Sequence, residues 1–177
     1  MKSIVLGGGC FWCIEAVFEQ IQGVLRVVSG YAGGKPDHPT YDQVCTGRTG
    51  HAEVIRVDYD PGEVSLDQIL DVFFVIHDPT SLNRQGADVG TQYRSVAYFA
   101  DASEENAIRE AMDRCHKAKH WPGRIVTEVS PLPEFFEAEA YHQGYFREHP
   151  NQPYCLFVAG PKVAKFLHQF PELAREA

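Results

Sequence analysis

Residues 3–21 read SIVLGGGCFWCIEAVFEQI, and they predict a strand, a glycine turn and a helix. The run Ser3–Leu6 is short and apolar, as is typical of a buried strand. After the glycines at 7–9, apolar residues recur at the spacing of one helical face, namely Ile14, Val17, Phe18 and Ile21. A thiol, that of Cys10, therefore stands where the turn becomes a helix.

Further along the chain, the same patterns predict alternating strands and helices. Strands are predicted at Val24–Tyr31, His51–Asp60, Tyr93–Ala100 and Ile125–Val129. Helices with apolar stripes are predicted to begin near Ser65, Asp101 and Pro161. The stretches 33–50 and 78–90 are polar or rich in glycine and predict loops.

The element order over residues 3–100 is β-α-β-β-α-β, which is the order of a split βαβ unit. We therefore expect an α/β (α+β) fold, in which a mixed sheet with a ferredoxin-like core has helices packed on it. A length of 177 residues suits one domain, so residues 1–177 are predicted to form a single domain.

Composition excludes several classes of protein. The net charge of −8 argues against nucleic acid as a partner, because phosphate binding needs clustered Lys and Arg. The sequence contains no apolar run of membrane-spanning length, and its first residues lead directly into a strand, so neither membrane nor signal peptide is expected. We expect a monomer in the cytoplasm.

The sequence has five cysteines. Five thiols cannot all pair with one another, and a secreted disulfide scaffold would be shorter and denser in cysteine. The five are Cys10, Cys13, Cys45, Cys115 and Cys155. Their number and spacing favour a reducing compartment, in which a disulfide is transient and belongs to a catalytic cycle.

Cys10 and Cys13 form a C-x-x-C pair at the start of the first helix. The N–H groups and dipole of a helix start favour a thiolate, so we predict a lowered pKa for Cys10. A zinc site would need two more ligands at similar spacing, and no second such pair occurs, so no metal is expected. A phosphate loop is excluded because no Gly-Lys-Ser/Thr follows the glycines. Redox chemistry remains.

Glu53 is the carboxylate that the strand pattern singles out. By the two-residue period it shares a face with Ile55 and Val57, which is the apolar face of the predicted third strand. Burial on that face would raise the pKa of Glu53 and keep it protonated near neutral pH, as a general acid requires. The alternative is an exposed glutamate at the beginning of the strand.

Five sequence blocks together resemble the A-type peptide-methionine (S)-S-oxide reductases. They are Gly9-Cys10-Phe11-Trp12, Pro39-Thr40-Tyr41, Thr49-Gly50-His51-Ala52-Glu53, Gly90-Thr91-Gln92-Tyr93-Arg94-Ser95 and Tyr141-His142-Gln143. One Gly-Cys-Phe-Trp is a weak signal, whereas five blocks in family order are specific. The resemblance runs from about residue 3 to residue 160.

The resemblance implies that Cys10 attacks the sulfur of methionine (S)-sulfoxide, free or in oxidised proteins, and becomes a sulfenic acid. It assigns Glu53 as the acid for the sulfoxide oxygen, with the hydroxyls of Tyr41 and Tyr145 holding that oxygen. It makes Phe11 and Trp12 the apolar wall for the substrate methyl group. No cofactor is implied, and a second thiol closes a disulfide that an external dithiol such as thioredoxin reduces.

The resolving thiol has two candidates. Cys13 lies three residues after Cys10 at a helix start, a spacing that brings two sulfur atoms within bonding distance, and it is our first choice. Cys155 occupies the position where relatives often have the resolving cysteine. The chain also departs from the family at Ala140, where relatives often have an acidic residue, and it lacks their glycine-rich C-terminal tail with a cysteine.

Two other functions fit part of the pattern. A general thiol-disulfide oxidoreductase would use Cys10 and Cys13 but leaves Glu53 and the aromatic wall without a role. A non-catalytic ferredoxin-like binding module would leave Cys10 as an ordinary thiol. Neither accounts for the order of the five blocks.

Overall fold

The computed structural model describes residues 1–176 of the chain. Its strands are β1 (Lys2–Gly7), β2 (Val24–Ala32), β3 (Ala52–Tyr59), β4 (Arg84–Gln85), β5 (Asp88–Val89), β6 (Val96–Phe99), β7 (Glu128–Pro131) and β8 (Phe135–Glu137). Its α-helices are α1 (Phe11–Phe18), α2 (Tyr41–Cys45), α3 (Leu66–Ile76), α4 (Ala102–Lys117), α5 (Tyr145–Glu148) and α6 (Gly160–Gln169).

The main sheet has six strands in the order β7-β6-β1-β3-β2-β8. Both β1 and β2 pair antiparallel with β3, so they run in the same direction with β3 between them. This is the split βαβ arrangement, and β6 beside β1 completes a ferredoxin-like core. The parallel pairing of β7 with β6 makes the sheet mixed, so the predicted fold class is confirmed.

Strand β3 separates two apolar clusters by the two-residue period of a strand. Ile55, Val57 and Tyr59 belong to the larger core, which α1 and α3 help to fill. Ala52 and Val54 belong to a smaller cluster on the opposite face of the sheet. Glu53 lies on the larger core's face, and therefore projects toward the helices.

The local differences from the sequence predictions involve short elements. The predicted loop 33–50 contains α2, whose start is closed by a capping box between Thr40 and Gln43. Strand β8 was not predicted, because three residues at a sheet edge are specified by pairing with β2 more than by their own pattern. The strand predicted at Ile125–Val129 is displaced to Glu128–Pro131 by its pairing with β6.

Two predicted boundaries also change. The fourth predicted strand begins at Val96, because Thr91–Tyr93 forms a 3₁₀ turn. The last helix is preceded by a π-helical turn, Cys155–Ala159, that packs on α1. Among the helices of residues 1–176, none combines the length and apolarity needed to cross a membrane.

Close packing at the end of β1 gives the first prediction. A Cβ atom at Gly7 would lie 2.8 Å from the backbone oxygen of Glu53, which cannot move without disturbing β3. We expect Gly7→Ala to lower the free energy of unfolding in urea by about 2 kcal/mol, as overpacking usually does. The control is Gly62→Ala, in an exposed turn where only the flexible Asp60 side chain is near, with an expected change within about 0.5 kcal/mol. Equal effects would contradict this account.

Candidate active site

Cys10 lies at the junction of the glycine turn and α1, where it is the N-cap residue of the helix. Gly9 before it has a φ of +88°, which only glycine adopts without strain, and its N–H donates to the carbonyl of Tyr93. This turn brings the thiol against the core side of β3, and Cys10 is only 7% exposed.

Glu53 of β3 meets the start of α1. Its Oε1 accepts a hydrogen bond of 3.1 Å from the backbone N–H of Phe11, an N–H that the helix itself leaves without a partner. Its Oε2 is buried and has no partner among the described residues. The residue is 1% exposed, and burial raises its pKa to about 8 despite the Phe11 hydrogen bond.

The predicted lowering of the Cys10 pKa is wrong. Burial and the hydrogen bond with the Cys13 thiol raise the pKa of Cys10 well above its ordinary value. The same hydrogen bond lowers the pKa of Cys13, because its thiolate would accept from Cys10. Desolvation of a nearly enclosed thiol thus outweighs the helix start, and Cys10 is protonated in the resting protein.

Directly after Cys10, Phe11 and Trp12 pack with Tyr41, His142 and Tyr145 into an aromatic wall. Trp12 and Tyr145 stack with ring centroids 3.8 Å apart and an angle of 7° between the ring planes. Tyr41 lies 6.4 Å from both the Phe11 and the Trp12 ring, in stacked orientations. The rings add apolar surface around the site, which favours the uncharged forms of its titrating groups.

The wall is fixed by polar contacts behind it. Trp12 Nε1 donates to His142 Nδ1 over 2.9 Å, so the His142 proton is on Nε2, which is buried without a partner among the described residues. Burial lowers the pKa of His142, consistent with a neutral ring. Glu15 of α1 accepts from the backbone N–H of Tyr145 and thereby anchors that ring's segment to the helix.

The two predicted oxygen-holding tyrosines have different surroundings. Burial raises the pKa of Tyr41, and a hydrogen bond with the Cys45 thiol and the charge on Glu53 add to this effect, so its hydroxyl lies near both Cys45 and Glu53. Tyr145 contributes its ring to the wall. Tyr93, which the sequence reasoning left unassigned inside a family block, has its pKa raised by burial and by charges on Glu53 and Cys10. Together with the hydrogen bond from the Gly9 N–H to its carbonyl, this indicates that Tyr93 lies beside the site.

Two carboxylates at the edge of the site were also missed. Glu139 accepts from the Tyr31 hydroxyl and from the Tyr41 backbone N–H, at 2.8 and 2.9 Å, respectively. Asp88 accepts from the Tyr154 hydroxyl at 2.5 Å. Ala140, which stands where relatives often have an acidic residue, is exposed. Glu139 and Asp88 supply carboxylates near the site in its absence. Their positions in the sequence could have indicated them, since Glu139 directly precedes Ala140 and Asp88 lies just before the Gly90 block.

All five cysteines, each within the described residues, are free thiols. Cys13 is close enough to Cys10 for each thiol to shift the pKa of the other. Cys155 is fully buried at the start of the π-helical turn, and Cys45 is exposed on α2 beside Tyr41. Cys115 packs inside α4. Within residues 1–176, no group of three or more His, Cys, Asp or Glu side chains has a metal-binding arrangement.

A nearly buried thiol, a protonated carboxyl group and an aromatic wall on a ferredoxin-like sheet define a thiol-based oxidoreductase. The family model for peptide methionine sulfoxide reductase matches residues 2–173. The chain therefore belongs to the peptide methionine sulfoxide reductase family, and it is an enzyme that reduces methionine sulfoxide with thiols. The rival functions, a general disulfide oxidoreductase and a binding module, are set aside.

Similar proteins agree with this assignment. The peptide methionine sulfoxide reductase MsrA of Nautilia profundicola is 54% identical over 167 residues, which are 94% of this chain and 95% of the relative. Reduced Mxr1 of Saccharomyces cerevisiae is 34% identical with a TM-score of 0.78, covering 85% of this chain and 87% of Mxr1. Mxr1 in complex with Trx2 is 26% identical with a TM-score of 0.55, covering 81% and 84%.

The buried carboxyl group gives the second prediction. Between pH 4.5 and about 8 the folded protein keeps a proton on Glu53 that the unfolded chain has lost, because the folded-state pKa is raised. Stability therefore falls as pH rises through this window. We expect the free energy of unfolding of Glu53→Gln, relative to wild type, to increase by on the order of 3 kcal/mol between pH 5 and pH 9. Urea unfolding at both pH values measures this.

The control for this measurement is Glu137→Gln. Its carboxylate is exposed and lies 3.9 Å from Arg26, so its difference from wild type should be nearly independent of pH. A Glu53→Gln difference that does not change with pH would mean that Glu53 is ionised in the folded protein.

Proposed function

We propose that the enzyme reduces the S epimer of methionine sulfoxide, free or in oxidised proteins, with Cys10 as nucleophile and Glu53 as general acid. The observation that supports this most directly is the Glu53 carboxyl group. One of its oxygens is held by the Phe11 N–H, and the other is buried near the Cys10 thiol with no hydrogen-bond partner in the described part of the chain. A sulfoxide oxygen fits such a carboxyl group, because it accepts the proton that Glu53 retains near neutral pH.

The attack follows from these neutral groups. Glu53 protonates the sulfoxide oxygen, Cys10 loses its thiol proton, and its sulfur attacks the sulfoxide sulfur. As an S–S bond forms between Cys10 and the substrate sulfur, the S–O bond breaks and the oxygen leaves as water. That water then adds to the Cys10 sulfur, the S–S bond breaks and methionine departs, which leaves Cys10 as a sulfenic acid. Since the thiol supplies one proton and methionine leaves as a neutral thioether, Glu53 ends the step protonated again. No cofactor is needed for this step.

The substrate is positioned by the aromatic wall. Its methyl group packs on Phe11 and Trp12, with the Tyr145 ring stacked behind Trp12. Its oxygen is held by the hydroxyl of Tyr41, with the hydroxyl of Tyr93 as a further donor and that of Tyr145 as the donor that the family resemblance implies. An apolar wall on one side and hydroxyls on the other would distinguish the two epimers at sulfur.

Cys13 resolves the sulfenic acid in this scheme. Cys13 lies one helical turn from Cys10 on α1, which supports this choice. The lowered pKa of Cys13 supports it as well, since a thiolate is the better nucleophile. Cys155, the alternative, is fully buried at the start of the π-helical turn, where the charge on Cys13 helps to raise its pKa.

The remaining proposals concern the setting of the reaction. An external dithiol of the thioredoxin type would reduce the disulfide, an idea supported by the complex of Mxr1 with Trx2. Five free thiols support a reducing compartment, the cytoplasm. The enzyme acts as a monomer in this scheme, and the family match over residues 2–173 supports a single catalytic domain.

The kinetics of Glu53→Gln test the acid. We expect methionine release in a single turnover to slow by about 10²–10⁴-fold, the range for loss of a general acid. In wild type the rate should fall as pH rises through about 8, because the acid form of Glu53 is lost. In the variant this fall should be absent. Cys10→Ser provides the zero-rate reference, and unchanged rates in Glu53→Gln would remove Glu53 from the mechanism.

Mass spectrometry after one turnover without external reductant tests the resolving thiol. We expect a Cys10–Cys13 disulfide in wild type and in Cys155→Ala. Cys13→Ala should instead accumulate a sulfenic acid on Cys10, because the neighbouring thiol is missing. Cys45→Ala serves as the matched control. A Cys10–Cys155 disulfide in wild type that persists in Cys13→Ala would reverse the order of the two candidates.

A further inference from the structure

A polar cluster behind Cys13 has no part in the attack on the sulfoxide. The Cys13 thiol donates to the Tyr154 hydroxyl, with Sγ and Oη 3.5 Å apart, and that hydroxyl donates to Asp88 Oδ2 over 2.5 Å. Tyr154 is 141 positions from Cys13 and 66 positions from Asp88 in the sequence. Three distant segments of the chain therefore meet at one phenol group.

The direction of each hydrogen bond follows from the chemistry of the phenol. Tyr154 has one hydroxyl hydrogen, and the short contact assigns it to the Asp88 carboxylate. A lone pair of the hydroxyl therefore faces Cys13 and accepts its thiol hydrogen. The Tyr154 ring meets Trp12 edge-on with centroids 5.9 Å apart, so the phenol is held by packing as well.

Tyr154 is also the residue directly before Cys155. The Cys155 side chain is fully buried, and the π-helical turn that it begins packs on α1. The Tyr154 hydroxyl is thus the polar link between α1, through Cys13, and the segment that carries Cys155. Such irregular turns occur often at functional sites.

We propose that Tyr154 is a positioning residue for the resolving step: with Asp88 it holds the Cys13 thiol next to Cys10, and disulfide formation breaks this hold and loosens the segment that carries Cys155. The inference rests on the proposed role of Cys13 as the resolving thiol. It adds a residue that acts on the second step and not on the attack.

The chemistry of the step explains both halves of the proposal. Cys13 attacks the sulfur of the Cys10 sulfenic acid, the S–O bond breaks, an S–S bond forms, and the oxygen leaves as water with the thiol proton. Before the step, the hydrogen bond to Tyr154 restricts the rotation of the Cys13 side chain. After it, Cys13 has no hydrogen to donate, so the link between α1 and Tyr154 is lost.

Tyr154→Phe tests the first half, since it removes the hydroxyl and keeps the ring against Trp12. In a single turnover with methionine (S)-sulfoxide, quenched with dimedone, methionine release should keep its wild-type rate. Disulfide formation should slow by about tenfold, the size expected for one hydrogen bond to a buried group, with a matching increase of trapped Cys10 sulfenic acid. Tyr141→Phe, at a tyrosine that is 59% exposed, is the control and should match wild type.

Alkylation of Cys155 by iodoacetamide tests the second half. In wild type carrying the Cys10–Cys13 disulfide, Cys155 should react several-fold faster than in the reduced protein. In reduced Tyr154→Phe, Cys155 should already react at the faster rate, whereas Tyr141→Phe should behave like wild type.

Three results would overturn the proposal. Disulfide formation at the wild-type rate in Tyr154→Phe would show that the hydroxyl does not position Cys13, and equal slowing of both steps would indicate a merely structural role. If oxidation left the reactivity of Cys155 unchanged, disulfide formation would not loosen the segment that carries it. A Cys10–Cys155 disulfide in wild type would instead refute the role of Cys13 as the resolving thiol. Failure of the Tyr154 proposal and failure of the proposed role of Cys13 therefore give different results.

Discussion

The hydrogen bond from the Phe11 N–H to Glu53 is the contact on which the site depends. It joins the first residue of α1 to β3 and replaces the side-chain cap that Cys10 does not provide. A helix start favours an anion, yet burial costs the carboxylate more than the N–H and the dipole return. The pKa of Glu53 therefore rises to about 8, and the group keeps a proton at neutral pH.

The same burial acts on the nucleophile. Cys10 is enclosed by the helix start, by Cys13 and by the aromatic wall, so its pKa rises too. The resting site is therefore uncharged at Cys10 and Glu53, with a thiol and a carboxylic acid side by side. A neutral thiol reacts slowly with most electrophiles. The site becomes reactive when a sulfoxide oxygen accepts the proton of Glu53.

The family motifs and the strand alternation carried most of the prediction. The glycine turn at 7–9 placed Cys10 at a helix start, and the alternation in β3 placed Glu53 on the core side, as observed. Short elements escaped prediction, since α2 and β8 hold too few residues for a period to emerge. Edge strand β8 exists because β2 offers it a pairing edge.

By itself, the sequence determined the element order of the split βαβ core, the position of the nucleophile and the face on which its acid lies, because turn glycines and residue periods are local properties. Tertiary structure alone decided the protonation of Cys10, the position of Tyr93 beside the site and the link from Cys13 through Tyr154 to Asp88. Desolvation depends on everything that surrounds a group, and hydrogen bonds between distant segments form only when packing brings those segments together.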